Sequence, residues 1–251
     1  ELAQEICDKI RVASKAKVFR RTAPVAPVYN PTLTTPITGV SFKPPPPVHF
    51  SRNSTEKLIV IGASTGGTEA IREVLTAFPA DCPAVVITQH MPPGFTTSFA
   101  KRLDSLCRIR VAEAQDGERI LPGHAYIAPG GRQFAIKRSG ANYVAEVTDG
   151  EPVNRHKPSV EVLFKSVARN VGPNAIGIML TGMGKDGAAA MLEMKQAGAY
   201  NIAQDEASCI VFGMPKEAIA AGGVDEVMSV QRIGSFVIER LRAAGPMLSR
   251  V

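Results

Sequence analysis

The sequence predicts an α/β protein: a doubly wound, mostly parallel sheet flanked by helices, with an added antiparallel hairpin. Two observations carry the main body of this prediction. Short apolar, β-branched runs recur from Leu58 onward, the signature of strands buried on both faces. Helical patterns separate them, and strand–helix alternation of this kind builds a parallel sheet wrapped by helices. A third observation adds the hairpin. The block 109–148 breaks the alternation with closely spaced turn signals at Asp116-Gly117, Pro122-Gly123, Gly130-Gly131 and Ser139-Gly140, which predict an antiparallel piece at one end of the sheet.

Residues 1–19 place Leu2, Ile6, Ile10 and Val12 at near-helical spacing, which predicts a helix with one apolar side, suited to packing on a neighbouring domain. Residues 20–56 are rich in Pro, Thr and Val and include Pro44-Pro45-Pro46-Pro47. Such a stretch forms neither a helix nor a central strand and reads as an extended interdomain linker. A ligand for a proline-binding module has the same composition, but linkers have it more commonly. Residues 57–251 form the α/β domain. Its predicted strands are Leu58–Ile61, Ala84–Thr88, Ile176–Leu180, Tyr200–Ala203 and Val224–Met228. The helices between them are Thr68–Phe78, Phe95–Leu106, Ser159–Asn170, Ala188–Ala197, Lys216–Ala221 and Ile233–Ala243. There is no internal repeat.

Composition narrows the function classes. The 251 residues suffice for one sizeable domain and a tail, and 45% hydrophobic content fits a globular protein. No apolar run approaches the ~20 residues needed to span a bilayer, so no membrane insertion is expected. No secretory signal pattern opens the chain, and a cytoplasmic location is expected. The chain begins with Glu1 rather than Met, as expected of a piece of a longer protein. Cys7, Cys82, Cys107 and Cys209 are scattered and form no C-x-x-C pair, which argues for free thiols in small core positions and against a zinc site. The formal net charge is +6, but residues 1–56 hold eight Lys or Arg against four Asp or Glu. The folded domain therefore carries no basic face or aromatic platform of the kind that binds nucleic acid.

The chemistry concentrates at strand ends. Leu58–Ile61 runs into Gly62-Ala63-Ser64-Thr65-Gly66, and G-x-S-x-G between strand and helix permits a sharp turn that presents a hydroxyl above the sheet. Backbone N–H groups at the following helix start can hold developing negative charge. Ser64 is thus a candidate nucleophile. A serine needs a base, and the base gains from an orienting carboxylate. Of the four histidines, His49 lies in the linker, His124 opens a strand of the 109–148 block, and His156 sits in a polar loop. His90 ends the strand Ala84–Thr88 and shares the carboxyl edge of the sheet with Ser64, where ligands bind in such folds. It is the candidate base. Asp186 follows the strand Ile176–Leu180, in a glycine-rich loop at a helix start. It can orient His90 or simply cap that helix, and position alone leaves both readings open. Asp116, Asp149 and Asp205 are weaker candidates. The order Ser, His, Asp differs from the α/β-hydrolase order. Neither metal-ligand spacing nor a phosphate loop is present, and Gly62-x-x-x-Gly66-Gly67 only loosely resembles a dinucleotide fingerprint; no cofactor and no metal are expected.

Five segments occur in order: Ile61-Gly62-Ala63-Ser64-Thr65-Gly66-Gly67, Thr88-Gln89-His90-Met91-Pro92-Pro93, Ala125-Tyr126-Ile127-Ala128-Pro129-Gly130, Leu180-Thr181-Gly182-Met183-Gly184-Lys185-Asp186-Gly187 and Gly213-Met214-Pro215-Lys216-Glu217-Ala218. Together they closely resemble the catalytic domain of the bacterial chemotaxis receptor methylesterases, the CheB family, over about Lys57 to Met228. The resemblance implies a serine hydrolase that demethylates glutamate γ-methyl esters on chemoreceptors and, in many members, deamidates receptor glutamines. It puts the nucleophile on Ser64, the base on His90, the orienting carboxylate on Asp186 and the oxyanion donors on the backbone N–H groups of Thr65 and Met183. It also implies a preceding receiver domain, phosphorylated by the chemotaxis histidine kinase, that covers the site when unphosphorylated. Residues 1–19 then read as the end of its last helix and the start of the linker. Two other readings remain: the same site acting on a receptor of another signalling pathway, and a non-catalytic binding domain.

Overall fold

The structure, a computed structural model, describes residues 57–243. The readings for residues 1–56 and for Cys7 and His49 lie outside the described residues. Seven parallel strands form the main sheet: β1 (Leu58–Ala63), β2 (Ala84–Gln89), β3 (Arg110–Glu113), β4 (His124–Ile127), β7 (Ala175–Met179), β8 (Tyr200–Gln204) and β9 (Glu226–Met228), in the order β3-β4-β2-β1-β7-β8-β9. β5 (Gln133–Ser139) and β6 (Asn142–Thr148) make a separate antiparallel pair. The helices are α1 (Gly67–Thr76), α2 (Phe95–Asp104), α3 (Val160–Asn170), α4 (Ala188–Gln196), α5 (Met214–Ala220) and α6 (Val230–Ala243). Among the described residues no helix is long and apolar enough to cross a membrane.

The alternation of strand side chains sorts the core into two layers. Leu58 and Val60 of β1, with Ala84 and Val86 of β2, pack under α3, α4, α5 and the β5–β6 pair through Phe164, Leu163, Met191, Met214 and Phe134. Ile59, Ile61 and Ala63 face the other way, against α1, α2 and α6 through Ile71, Leu75, Leu103, Ile233 and Val237. Each central strand is therefore covered on both faces, which is why β1, β2 and β7 read as unbroken apolar runs. The chain moves outward from β1 through β2 and returns to β1's other side at β7. The carboxyl ends of β1, β2 and β7 thus border the switch point, where this fold opens a crevice.

The 109–148 block departs from its expected form. Only its second half is a hairpin, and that hairpin lies on α3 rather than extending the sheet. The first half supplies β3 and β4, two parallel strands at the sheet edge. The turn signals at Asp116-Gly117 and Pro122-Gly123 belong to the crossover between them. This crossover is short because it runs along β6: the N–H of Gly117 donates to the Ala145 carbonyl and that of Ile120 to Tyr143. Turn residues mark where a chain bends but not which partner it bends toward, so two parallel edge strands and a hairpin have the same local pattern.

Candidate functional site

Ser64 and His90 sit side by side because β1 and β2 are in register. Ala63 pairs with Gln89, so the next residue of each strand emerges at the same level, and the His90 N–H donates to the Ala63 carbonyl at 3.1 Å. Ser64 itself has no left-handed strain, and the bend is taken by Gly66, with φ of +80° at the N-terminus of α1. A Cβ on Gly66 would also lie 2.7 Å from Ile210, so glycine is required there by conformation and by space. The Gln89 side chain is buried beneath both residues. Its Nε2 donates to the Ser64 carbonyl at 2.9 Å and to the His90 carbonyl at 3.2 Å.

The loop after β7 closes over this pair. The Ser64 N–H donates to the Thr181 carbonyl at 3.0 Å, and the Thr181 hydroxyl bonds the Thr65 carbonyl at 3.0 Å. Gly182 packs directly on Ser64: a Cβ there would lie 2.8 Å from the Ser64 Cβ and 2.4 Å from the Met214 sulfur. Met183 follows, at the rim of a cleft of about 590 Å³ that Lys185, Ile210, Phe212 and Lys216 also line. Among the described residues the backbone N–H groups of Thr65 and Met183 meet no backbone acceptor. Thr65 follows Ser64 in the turn into α1, and Met183 follows Gly182, which packs on Ser64.

Asp186 is 2% exposed and is the most heavily bonded side chain of the site. Oδ2 accepts from His90 Nε2 at 2.8 Å and from the Val160 N–H at 2.7 Å. Oδ1 accepts from Asn154 Nδ2 and Ser159 Oγ, both at 2.8 Å, and more weakly from the Glu161 N–H at 3.4 Å. Of the two readings open in the sequence, the structure takes both in altered form. Asp186 meets His90, and it also occupies a helix N-terminus, but that of α3 rather than of its own helix, α4. Burial pushes its carboxyl pKa up, but the hydrogen bonds from His90, Asn154 and Ser159 outweigh burial and hold it below its ordinary value. The ionised form is the one this pocket is built to hold.

His90 presents Nε2 to Asp186, and its Nδ1 is buried without a hydrogen-bond partner. Because Nε2 faces an ionised carboxylate it carries the proton, which leaves the Nδ1 lone pair available. The familiar serine-protease triad uses the ring in the opposite sense, with Nδ1 toward the aspartate. His156 lies flat against the other face of the ring, centroid to centroid 3.7 Å and 16° from parallel.

The remaining candidates fall elsewhere. His124 is at the amino end of β4, the far edge of the sheet, with Nδ1 bonded to the Pro122 carbonyl. Asp116 accepts from the Val147 N–H, Asp149 pairs with Lys157, and Asp205 holds Ser208. All three carboxylates are engaged in local structure. Cys82 and Cys209 are buried thiols, pushed up to about 12 chiefly by burial, and are inert as nucleophiles. Sequence reasoning missed Gln89, Asn154, Ser159 and Thr181, and it passed over His156. Only the Asn154-Arg155-His156 run carried a signal, a polar cluster before a helix. Among the described residues no cluster of His, Cys, Asp and Glu could hold a metal ion.

A serine at a strand end, a histidine beside it and a buried carboxylate behind the histidine can carry nucleophilic acyl transfer on a doubly wound parallel sheet. The comparisons with known proteins give this class a narrower frame. The family model described as CheB methylesterase matches residues 59–237, and the chain belongs to that family. It is 64% identical over 245 residues to protein-glutamate methylesterase/protein-glutamine glutaminase 1 of Albidiferax ferrireducens, covering 97% of this chain and 64% of the relative. It is 66% identical over 201 residues to the protein of the same name, without the numeral, from Ralstonia nicotianae, covering 80% and 52%. The chain thus spans about two thirds or less of these curated relatives. The crystal structure of the Thermotoga maritima CheB methylesterase catalytic domain superposes with a TM-score of 0.72 at 38% identity, over 73% of this chain and 98% of that one.

Proposed function

We propose that this chain is a serine esterase that hydrolyses glutamate γ-methyl esters on chemoreceptors, and that it deamidates receptor glutamines at the same site. The observation that carries the reading is the polarity of His90: Nε2 on an ionised, buried Asp186 at 2.8 Å, and Nδ1 buried without a partner at the strand end next to Ser64. A merely structural histidine would have both ring nitrogens satisfied.

In this reading Nδ1 takes the proton of the Ser64 hydroxyl as its oxygen bonds the ester carbonyl carbon. The carbonyl oxygen becomes an oxyanion between the N–H groups of Thr65 and Met183, where loss of one donor typically costs ~10²–10³ in rate. The carbon–methoxy bond breaks, Nδ1 returns the proton to the departing oxygen, and methanol leaves. Water then gives its proton to Nδ1 as its oxygen attacks the acyl-enzyme carbonyl; the bond to the Ser64 oxygen breaks, Nδ1 returns the proton to that oxygen, and the freed glutamic acid ionises to solvent. An amide follows the same course and releases ammonia. Asp186 stays ionised and keeps the proton on Nε2 throughout.

The same reading makes residues 57–251 the catalytic domain, 20–56 an interdomain linker and 1–19 the end of a receiver domain's last helix. That receiver, phosphorylated by the chemotaxis histidine kinase, would regulate access to the site in the cytoplasm. The test is methanol release from membranes bearing methylated receptors, comparing the chain with Ser64→Ala. Release that is lost in the variant supports the reading. Release that survives moves the nucleophile elsewhere, and its absence from both folded proteins overturns the esterase.

A further inference from the structure

We propose that His156 is a positioning residue for the base: its ring is the flat stop that holds the His90 imidazole with Nε2 on Asp186 and Nδ1 left open to accept a proton. The inference rests on the esterase reading for its consequence in turnover, and on geometry alone for its effect on His90.

The turn that carries His156 is built to place it. Val153 and His156 exchange backbone hydrogen bonds of 3.1 and 2.9 Å, and the two residues between them, Asn154 and Arg155, have φ of 52° and 66°. Two consecutive left-handed residues make a type I′ turn. Asn tolerates that conformation and Arg does not, so the turn holds strain of about 1–3 kcal/mol at Arg155. Among the described residues these are the non-glycine positions with positive φ. Strain of this kind persists only where the surroundings impose it. Here buried Gln133 grips the loop, with Nε2 donating to the Glu151 and His156 carbonyls and Oε1 accepting from the Ser159 N–H. The same turn also aims Asn154 Nδ2 at Asp186 Oδ1 at 2.8 Å. One four-residue turn thus delivers a ring to the base and a donor to the carboxylate that orients it.

The base needs such a stop. Its ring is tied at one edge only, through Nε2, until a hydroxyl reaches Nδ1. Rotation about an sp³–sp² bond is soft, so a single hydrogen bond leaves the ring free to tilt. A parallel ring at 3.7 Å removes the tilt on one side. Aromatic stacking of this quality corresponds to about a 2- to 12-fold effect on an equilibrium, and misplacement of a reacting group adds to it in rate.

Methanol release and ¹⁵N–¹H spectra of the His90 imidazole are compared for the chain, His156→Ala and His156→Phe, with urea midpoints as the folding control and Ser64→Ala as the control for the reaction. The expected result is a kcat lowered about tenfold or more in His156→Ala with KM little changed, recovery to within about threefold of the parent in His156→Phe, and a His90 Nε2–H resonance broadened in the first variant and sharp in the second. Unchanged kcat in folded His156→Ala, an effect confined to KM, or equal damage in His156→Phe would overturn the proposal. If the parent chain releases no methanol, or Ser64→Ala still does, the esterase reading fails instead. The resonance then decides the role of His156 alone: broadened in His156→Ala it stands, unchanged it falls.

Discussion

Replacing Asp186 separates its two duties, because the two oxygens face different donors. Oδ2 is shared by His90 Nε2 and the Val160 N–H, and Oδ1 by Asn154, Ser159 and the Glu161 N–H. Asp186→Ala strands these donors in a buried site. A simple helix cap costs ~0.5–2 kcal/mol when removed, whereas breaking a buried charged network costs ~3–5 kcal/mol. The expected loss is therefore about 3–5 kcal/mol, a large part of the ~5–15 kcal/mol that holds a domain together. Asp186→Asn is the sharper probe. The Val160 N–H is a fixed backbone donor, so the amide oxygen must occupy the Oδ2 position and its NH₂ must face Ser159, whose hydroxyl can turn to accept. His90 Nε2–H then still meets an acceptor, and the proton stays on the right nitrogen. The NH₂ also meets Asn154, which must turn its own amide to present an oxygen, and the Glu161 N–H, whose weak 3.4 Å bond is lost. At His90 itself only the charge is lost, about 1.5–3 kcal/mol of stabilisation of the imidazolium, or roughly 10- to 150-fold in kcat. The alanine variant loses tautomer control as well and should fall by ~10³–10⁴. The assays are urea unfolding monitored by circular dichroism and single-turnover methanol release. Asp186→Asn as inactive as Asp186→Ala, or Asp186→Ala within about 1 kcal/mol of the parent's stability, would refute the reasoning.

Three further outcomes are expected. Gly182→Ala drives a methyl to within 2.8 Å of the Ser64 Cβ and 2.4 Å of the Met214 sulfur, so it should cost about 1–3 kcal/mol by overpacking and most of the activity, read by urea midpoint and methanol release. Thr181→Val keeps the shape but leaves the Val211 N–H and the Thr65 carbonyl without the hydroxyl; kcat should fall with KM unchanged, and stability by about 1–3 kcal/mol. Acid should act through Asp186. Its folded pKa lies below the ordinary 3.8, so its contribution to stability is whole above that value and is lost as pH falls through the lower folded pKa. Urea midpoints measured downward from pH 5 should drop below about pH 4 in the parent and less steeply in Asp186→Asn.

What could be read from the sequence followed from what each residue needs locally. β1 was visible because a strand covered on both faces must be apolar throughout, and Gly62 to Gly67 because a strand that turns sharply into a helix needs small residues. Ser64 and His90 could be placed together without coordinates, since adjacent parallel strands end on one edge whatever their neighbours do. The third member was only half legible. Asp186 precedes a helix, as a cap would, and nothing within ten residues of it indicates that α3, rather than α4, uses its carboxylate. That contact depends on how α3 packs across β1 and β7, a property of the assembled layers. Helix ends drifted for a related reason: α5 starts at Met214, two residues before the periodic pattern does, because Pro215 is favoured in a first turn and the Met214 N–H is met by the Gly182 carbonyl at 2.8 Å.

The supporting shell was invisible for a stronger reason than distance. Gln89, Asn154, Ser159 and Thr181 act through groups that almost any surface residue of the same type also carries, and a hydrogen bond leaves no mark on the sequence of either partner. The exception is instructive. The left-handed Arg155 is a local conformational cost: the chain places Gly at Gly66, Gly94, Gly187 and eight other left-handed positions among the described residues. A residue kept in a conformation it resists, in a chain that spends glycine freely elsewhere, is held by something outside its own segment. In this fold the turn is held by Gln133, through the Glu151 and His156 carbonyls, and by the contacts of Asn154 with Asp186 and of His156 with His90. A glycine at 155 should therefore relax the turn, and if the turn is what holds His156 against the base, the relief should appear as a stability unchanged or raised by ~1 kcal/mol together with a lower kcat. A higher kcat in a more stable Arg155→Gly variant would mean that the strain serves nothing at this site.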